Sequence, residues 1–298
     1  MNNYEASEML NIINQQFSLQ KENIDELRRD FEEFYLKFSS NQVLELENYC
    51  INHIHFYKIK ANNTKPDYAI LFFHGGGFNM GSTKSHLDLC GKLSKASGLS
   101  VFSPDYRLAP EQPFPAAVDD CLDSYLWLVK QGMEPSHIIL AGISAGGTLA
   151  LATLLSLKNK GQKLPAATVC MSPAVDMLFP GDSIKTNEDN DWISKDRLDR
   201  VREFYLEGED PKNPLVSPIY ADLEGLPPIY LQVGGHEILR DSIYKFYNKA
   251  SDSGVDISLE EWPEMFHCWQ IFSSSLNEGQ EAIESAGEYI KKIILSAF

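Results

Sequence analysis

Gly142-Ile143-Ser144-Ala145-Gly146-Gly147 sets a serine among small residues, with glycine two positions before it and two after. This G-x-S-x-G pattern follows the apolar run 137–141 and precedes a helix-forming stretch at 148–158. A serine in a sharp strand-to-helix turn leaves no room for bulky neighbours at those two positions. Its Oγ then projects above the sheet, at the positive end of a helix. A glycine-rich turn alone requires neither the strand before nor the helix after, so the context points to a nucleophile.

His74-Gly75-Gly76-Gly77-Phe78 is the second signal, again directly after an apolar run. Consecutive glycines let backbone N–H groups approach a ligand closely, as negative charge developing on a carbonyl oxygen requires. With the N–H of Ala145 they are expected to form an oxyanion hole. A phosphate-binding loop is the other use of such glycines, but the chain has neither G-x-G-x-x-G nor G-K-[ST] there.

A serine hydroxyl becomes a useful nucleophile only when a base takes its proton, and the base must be oriented by an acid. Where a serine sits on this kind of turn, acid and then base follow it along the chain. Only His236 and His267 come after Ser144. His267 lies past the last expected strand and before the final helix, and is taken as the base. His236 lies at the end of the preceding strand, where the acid belongs. The acid candidates there are Glu237, directly after the strand, and Asp241, one turn into the next helix. A first-turn carboxylate needs no role beyond the helix dipole, so Glu237 is preferred.

These residues need a scaffold that brings separate loops to one end of a sheet. Apolar runs predict strands at 51–60, 68–74, 99–104, 137–142, 167–172, 228–234 and 257–262, with helices at 83–97, 115–131, 145–159, 238–253 and 280–296. Near-continuous runs such as AILFF, IILAG and IYLQV fit strands covered on both faces, and the alternation predicts a mostly parallel α/β sheet. Residues 1–40 differ: apolar residues at helical spacing predict two amphipathic helices, broken near Ser18. Their polar faces are acidic, which favours packing on the protein over lying on a membrane. Residues 176–213 are charged and irregular, with one helix expected at 195–207, and read as an insertion.

Taken together, the chain resembles the bacterial hormone-sensitive-lipase-like esterases. The resemblance rests on HGGGF at 74–78, SPDYRLAPE at 103–111 followed by PFPA at 113–116, the elbow at 142–147, NPLVSP at 213–218 and LPP at 226–228. It spans roughly residues 66–298 and implies an α/β-hydrolase fold. A helical cap would come from 1–40 plus the insertion at about 176–213, on a catalytic domain of 41–298. It further implies oxyanion donors from Gly76, Gly77 and Ala145, with His74 and Gly75 shaping that loop. The implied activity is hydrolysis of short-chain carboxylic esters through a Ser144–His267–Glu237 triad, with no metal or cofactor. Ile143 stands where many relatives have Asp, and Glu237-Ile238-Leu239 where they often have Asp-Pro-Leu. A plant gibberellin receptor resembles the family but has lost the catalytic histidine, whereas His267 is present here. An amidase or peptidase would use the same triad and the same tetrahedral oxyanion.

Composition narrows the partners. The 298 residues carry a formal net charge of -16 and a pI near 4.8. Such a chain is repelled by nucleic acid and by anionic lipid, leaving a small-molecule ester as the expected partner, for a monomer or homodimer. Five scattered cysteines without a CxxC pair predict free thiols rather than a disulfide framework or zinc site. No signal peptide or membrane span is read, and the expected location is cytoplasmic. Arg107 is expected to tie loops together through its donor fork. His53 and His55 alternate on one strand face without a third ligand nearby, a weak metal signal.

Overall fold

Successive side chains of a strand point to opposite faces, and here they fill two separate cores. Leu71, Phe73, Leu140, Cys170, Leu231 and Val233 pack on one face, and Ile70, Phe72, Ile139, Ala141, Val169 and Met171 on the other. The computed structural model describes residues 4–17, 23–40, 42, 44–61 and 64–296. Its strands are β1 (Glu45–Ile51), β2 (Ile54–Lys60), β3 (Lys65–Phe73), β4 (Leu99–Asp105), β5 (Ile138–Ile143), β6 (Ala167–Met171), β7 (Ile229–Gly234) and β8 (Ile257–Trp262). They form one sheet in the order β1-β2-β4-β3-β5-β6-β7-β8. The β1–β2 and β2–β4 pairs are antiparallel, and every pair from β4 to β8 is parallel.

Two helices, α1 (Ala6–Phe17) and α2 (Ile24–Lys37), precede the sheet. Between its strands lie α3 (Leu87–Ser97), α4 (Ala116–Lys130), α5 (Ala145–Asn159), α6 (Ser183–Thr186), α7 (Lys195–Leu206) and α8 (Arg240–Asp252), and α9 (Asn277–Ser296) follows it. Helices α4, α5 and α8 cover the first face and α3 and α9 the second. Helix α5 is buried from Ala145 to Leu157, which is why its sequence is apolar all round rather than on one stripe.

The single strand expected at 51–60 is instead a hairpin. Asn52 takes a φ of 55°, which asparagine tolerates better than most residues, and the turn at Asn52-His53 folds β1 back on β2. β1 escapes a hydrophobic reading because it is an exposed edge. Its register pairs Glu45 with Lys60 and Glu47 with Lys58, and ion pairs of 3.1 and 2.8 Å join them. Charges on an edge strand also discourage further strand pairing.

Helices α1 and α2 are those expected within 1–40. The break expected near Ser18 lies outside the described residues. Asn23 caps α2, its Oδ1 accepting from the N–H of Asp25 (2.9 Å) and Glu26 (3.2 Å). Met9, Ile13, Phe17, Phe31, Phe34 and Phe38 join the second core, where Phe34 and Phe38 meet the Phe272 ring edge-on at 6.1 and 5.4 Å. Each such aromatic pair contributes about 0.5–1.5 kcal/mol beyond its burial. Arg28 fixes the other side of α2 through a bidentate pair with Glu111 and bonds to the carbonyls of Asn79 and Ala109.

Candidate active site

The turn between β5 and α5 puts Ser144 at a φ of 53° and ψ of −122°, a strained conformation for a side chain with a Cβ. Its glycine neighbours are compelled by contact. A Cβ on Gly142 would lie 2.1 Å from the Gly146 carbonyl oxygen, and one on Gly146 only 1.9 Å from that of Phe73. The Ser144 N–H donates to the Met171 carbonyl at 2.8 Å, fastening the turn to the end of β6.

The Ser144 hydroxyl lies 2.8 Å from His267 Nε2, and His267 Nδ1 lies 3.0 Å from Glu237 Oε2. An Nδ1–H donated to the carboxylate leaves the Nε2 lone pair to accept from the serine. Glu237 is fully buried, and its other oxygen accepts from the Ser172 hydroxyl and the Gly234 N–H, both at 2.6 Å. Burial opposes charge on His267, whereas the Glu237 carboxylate favours it, and the net direction is upward. Burial pushes the Cys268 thiol up as well, so it stays protonated and the Glu237 carboxylate is the partner that holds an imidazolium.

Asp241, the other acid candidate, faces elsewhere. Its Oδ2 accepts from the Ser183 N–H at 3.0 Å, and its own N–H donates to the Ser183 hydroxyl at 3.2 Å. His236 lies 4.0 Å from Glu264 at the surface.

The glycine loop lines the same cavity as Ser144, with Gly76 at φ 120° and Gly77 at φ 61°, values that favour glycine. Among the described residues, no hydrogen bond within the protein occupies the N–H of Gly76, Gly77 or Ala145. The N–H of Gly75 is used differently: it donates to His86 Nε2 at 3.1 Å, while His86 Nδ1 donates to the Ser82 carbonyl at 3.1 Å. Burial lowers the His86 pKa to about 3, so this imidazole is neutral and can accept. His74 stacks on Tyr106 at 4.1 Å with planes 9° apart, and the Tyr106 hydroxyl donates to the His74 carbonyl at 2.8 Å. The expected supporting loop is therefore a wedge of packed rings. Sequence reading passed over His86 because a histidine just before a helix has no local signature.

Phe17, Phe31, Tyr35, Met80, Ala174 and Trp192 are among the residues enclosing a cavity of about 160 Å³ that also meets Ser144, His267 and the glycine loop. The walls come from α1, α2, the insertion and the body together. Sequence reading also passed over Asp191 and Trp192, which sit in the irregular insertion and touch the His267 main chain. Arg107 does bind through its fork, to both oxygens of Asp120 and to the Ala116 carbonyl, and His53 Nε2 shares that carboxylate at 3.0 Å. The five cysteines are free thiols, Cys50 exposed and the rest buried. No helix among the described residues is long and apolar enough to cross a membrane.

Known proteins agree with this architecture. A model of the alpha/beta hydrolase fold family matches residues 70–271. The chain is 44% identical over 224 residues to an acetyl-hydrolase of Streptomyces hygroscopicus, covering 75% of each sequence. It is 33% identical over 260 residues to an esterase of Acinetobacter venetianus, covering 87% of this chain and 86% of the relative. A crystal structure of an esterase from the bacterial hormone-sensitive lipase family superposes with a TM-score of 0.94 at 39% identity, over 99% of this chain and 100% of that one.

Proposed function

Because this chain belongs to the α/β-hydrolases, among the bacterial hormone-sensitive-lipase-like esterases, and is a carboxylic ester hydrolase, we propose that it cleaves short-chain esters through an acyl-enzyme on Ser144, with His267 as base and Glu237 as the orienting acid. One observation carries the reading: an unbroken hydrogen-bonded line, Ser144 Oγ to His267 Nε2 at 2.8 Å and His267 Nδ1 to Glu237 at 3.0 Å, opens onto a cavity that Gly76, Gly77 and Ala145, their N–H groups unengaged among the described residues, also line.

As Ser144 Oγ attacks the ester carbonyl, its proton passes to His267 Nε2. The carbonyl oxygen becomes an oxyanion that accepts from the N–H groups of Gly76, Gly77 and Ala145. Glu237 holds the Nδ1–H tautomer and stabilises the imidazolium. The imidazolium then gives its proton to the departing alkoxide, leaving Ser144 acylated. Water, deprotonated by the same imidazole, attacks the acyl carbon; the bond to Ser144 Oγ breaks, the imidazolium returns its proton to that oxygen, and the carboxylic acid leaves.

The cavity supports short acyl groups. Its volume of about 160 Å³ is below the roughly 300–1,000 Å³ of sites that hold drug-sized ligands. We assign residues 1–40 and about 176–213 to a cap over the body of 41–298, since both segments contribute its walls. Free thiols throughout favour a reducing, cytoplasmic setting. An acyl-chain series of p-nitrophenyl esters with the matching anilides tests the substrate class. The expected result is highest kcat/KM at about two to four acyl carbons, as the small cavity suits, with anilides far slower. Highest kcat/KM on long acyl chains, or on anilides, would overturn it.

A further inference from the structure

We infer that Asp191 and Trp192, two consecutive residues of the insertion, are positioning residues for His267, gripping its main chain from both sides. The inference rests on His267 being the base. Asp191 Oδ1 accepts from the N–H of His267 at 3.0 Å and of Trp192 at 2.8 Å. Its Oδ2 accepts at 2.9 Å from the N–H of Ile238, the residue after Glu237. One carboxylate therefore joins the loop carrying the base to the loop carrying the acid, across the ends of β7 and β8. The carbonyl of His267 is held as well, accepting from Trp192 Nε1 at 2.7 Å. With both peptide groups of His267 fixed, its ring has little freedom except rotation of the side chain.

The placement of this carboxylate argues for more than loop closure. Asp191 is only 4% exposed, and a neutral amide or hydroxyl could staple two loops without burying a charge. The titratable groups facing it are His267, Glu237 and Cys268. Burial, reinforced by Glu237, raises its pKa to about 6, while His267 and its own N–H partners oppose that rise. At neutral pH it adds a second negative charge near His267, and so favours the imidazolium formed during attack.

The grip also reaches the cavity wall. Arg197 of α7 donates to the Trp192 carbonyl at 2.8 Å and to the Phe17 carbonyl at the end of α1. The Phe17 and Trp192 rings lie 5.8 Å apart, and Trp192 lies 6.0 Å from the His267 ring. The residues that shape the acyl cavity thus bear on the base itself.

Asp191→Asn and Trp192→Phe test this, with sites counted by phosphonate titration and His267 followed by NMR of the imidazole nitrogens. Asp191→Asn is expected to lower kcat per titrated site by about 10- to 100-fold, the scale of a small misplacement of a reacting group, with KM nearly unchanged. Removing the anion is expected to lower the His267 pKa, moving the acid limb of kcat/KM to lower pH. Trp192→Phe keeps an aromatic ring but loses the N–H donor, and is expected to lower kcat several-fold without moving that limb. A mere staple would lower melting temperature while leaving kcat per site and the imidazole pKa at wild-type values, and that result would overturn the inference. Should Asp191→Asn fail to fold, Trp192→Phe decides by the same kcat. A wild-type protein that hydrolyses no ester would overturn the proposed function instead, and the imidazole pKa would still decide the role of Asp191.

Discussion

Ser144 and His267 face one another at 2.8 Å, yet the two sides of that hydrogen bond are built differently. On the nucleophile side, backbone is packed against backbone. Gly142 and Gly146 sit where any Cβ would collide with a carbonyl, and the Ser144 N–H is tied to the end of the next strand. On the base side, side chains reach across the fold to hold loops: Asp191 to the N–H of His267, Trp192 to its carbonyl, and Asn187 to the carbonyls of Gly235 and Glu237. Backbone packing fixes a position rigidly and allows almost no substitution. Side-chain fastening makes the position depend on a distant segment, here the insertion that also walls the cavity.

The largest expected effect comes from the nucleophile side. Ser144→Ala is expected to reduce turnover by about a million-fold, as for loss of the nucleophile in other triad enzymes. Its melting temperature should stay at or above the wild-type value, because the backbone contacts remain. A variant retaining a tenth of wild-type turnover would remove Ser144 from the mechanism.

Next comes the acid, where the base side can be split into its parts. Glu237→Gln keeps the shape but loses the charge and the tautomer control, and is expected to lower kcat by roughly ten-thousand-fold with little change in KM. Asp241→Asn, which disturbs the contact with Ser183, is expected to stay within a few-fold. Reversed results would make Asp241 the acid and Glu237 a loop residue.

The smallest effect concerns pH and the oxyanion loop. His86 is neutral in the folded protein because burial lowers its pKa to about 3 from an ordinary 6.5. An unfolded chain binds that proton more readily, so the stabilisation is complete above pH 6.5 and is lost as pH falls towards 3. The slope should approach about 1.4 kcal/mol per pH unit within that window. His86→Gln retains an acceptor for the Gly75 N–H and should flatten that part of the stability curve. An unchanged slope in chemical denaturation between roughly pH 3.5 and 6, inside the window the shift defines, would show that His86 does not carry it.

The same division explains what could be read from the sequence. Steric compulsion acts on neighbours in the chain, so G-x-S-x-G after an apolar strand and HGGG after another were both legible. The interior parallel strands β5, β6 and β7 were legible as well, since burial on two faces makes them almost wholly apolar. β1 was not, because an edge strand held by Glu–Lys pairs carries no hydrophobic pattern. Nor were Asp191 and His86. The bond from Asp191 to His267 spans 76 positions, and His86 serves a loop 11 residues away through one ring nitrogen. Such partners share no local pattern with the groups they hold. Glu237 and His267 lay between these cases: chain order singled them out, while the contacts that set their geometry belong to the fold.

The central claim is a covalent one, that acyl groups pass through Ser144. Rapid acid quenching of the enzyme during hydrolysis of a p-nitrophenyl ester, followed by peptide mass spectrometry, examines it directly. One acyl group per chain is expected on the peptide containing Ser144, formed with the burst of p-nitrophenol and absent from Ser144→Ala. Acyl groups on another residue, or steady hydrolysis with no acylated peptide under conditions where deacylation is slow, would contradict the account.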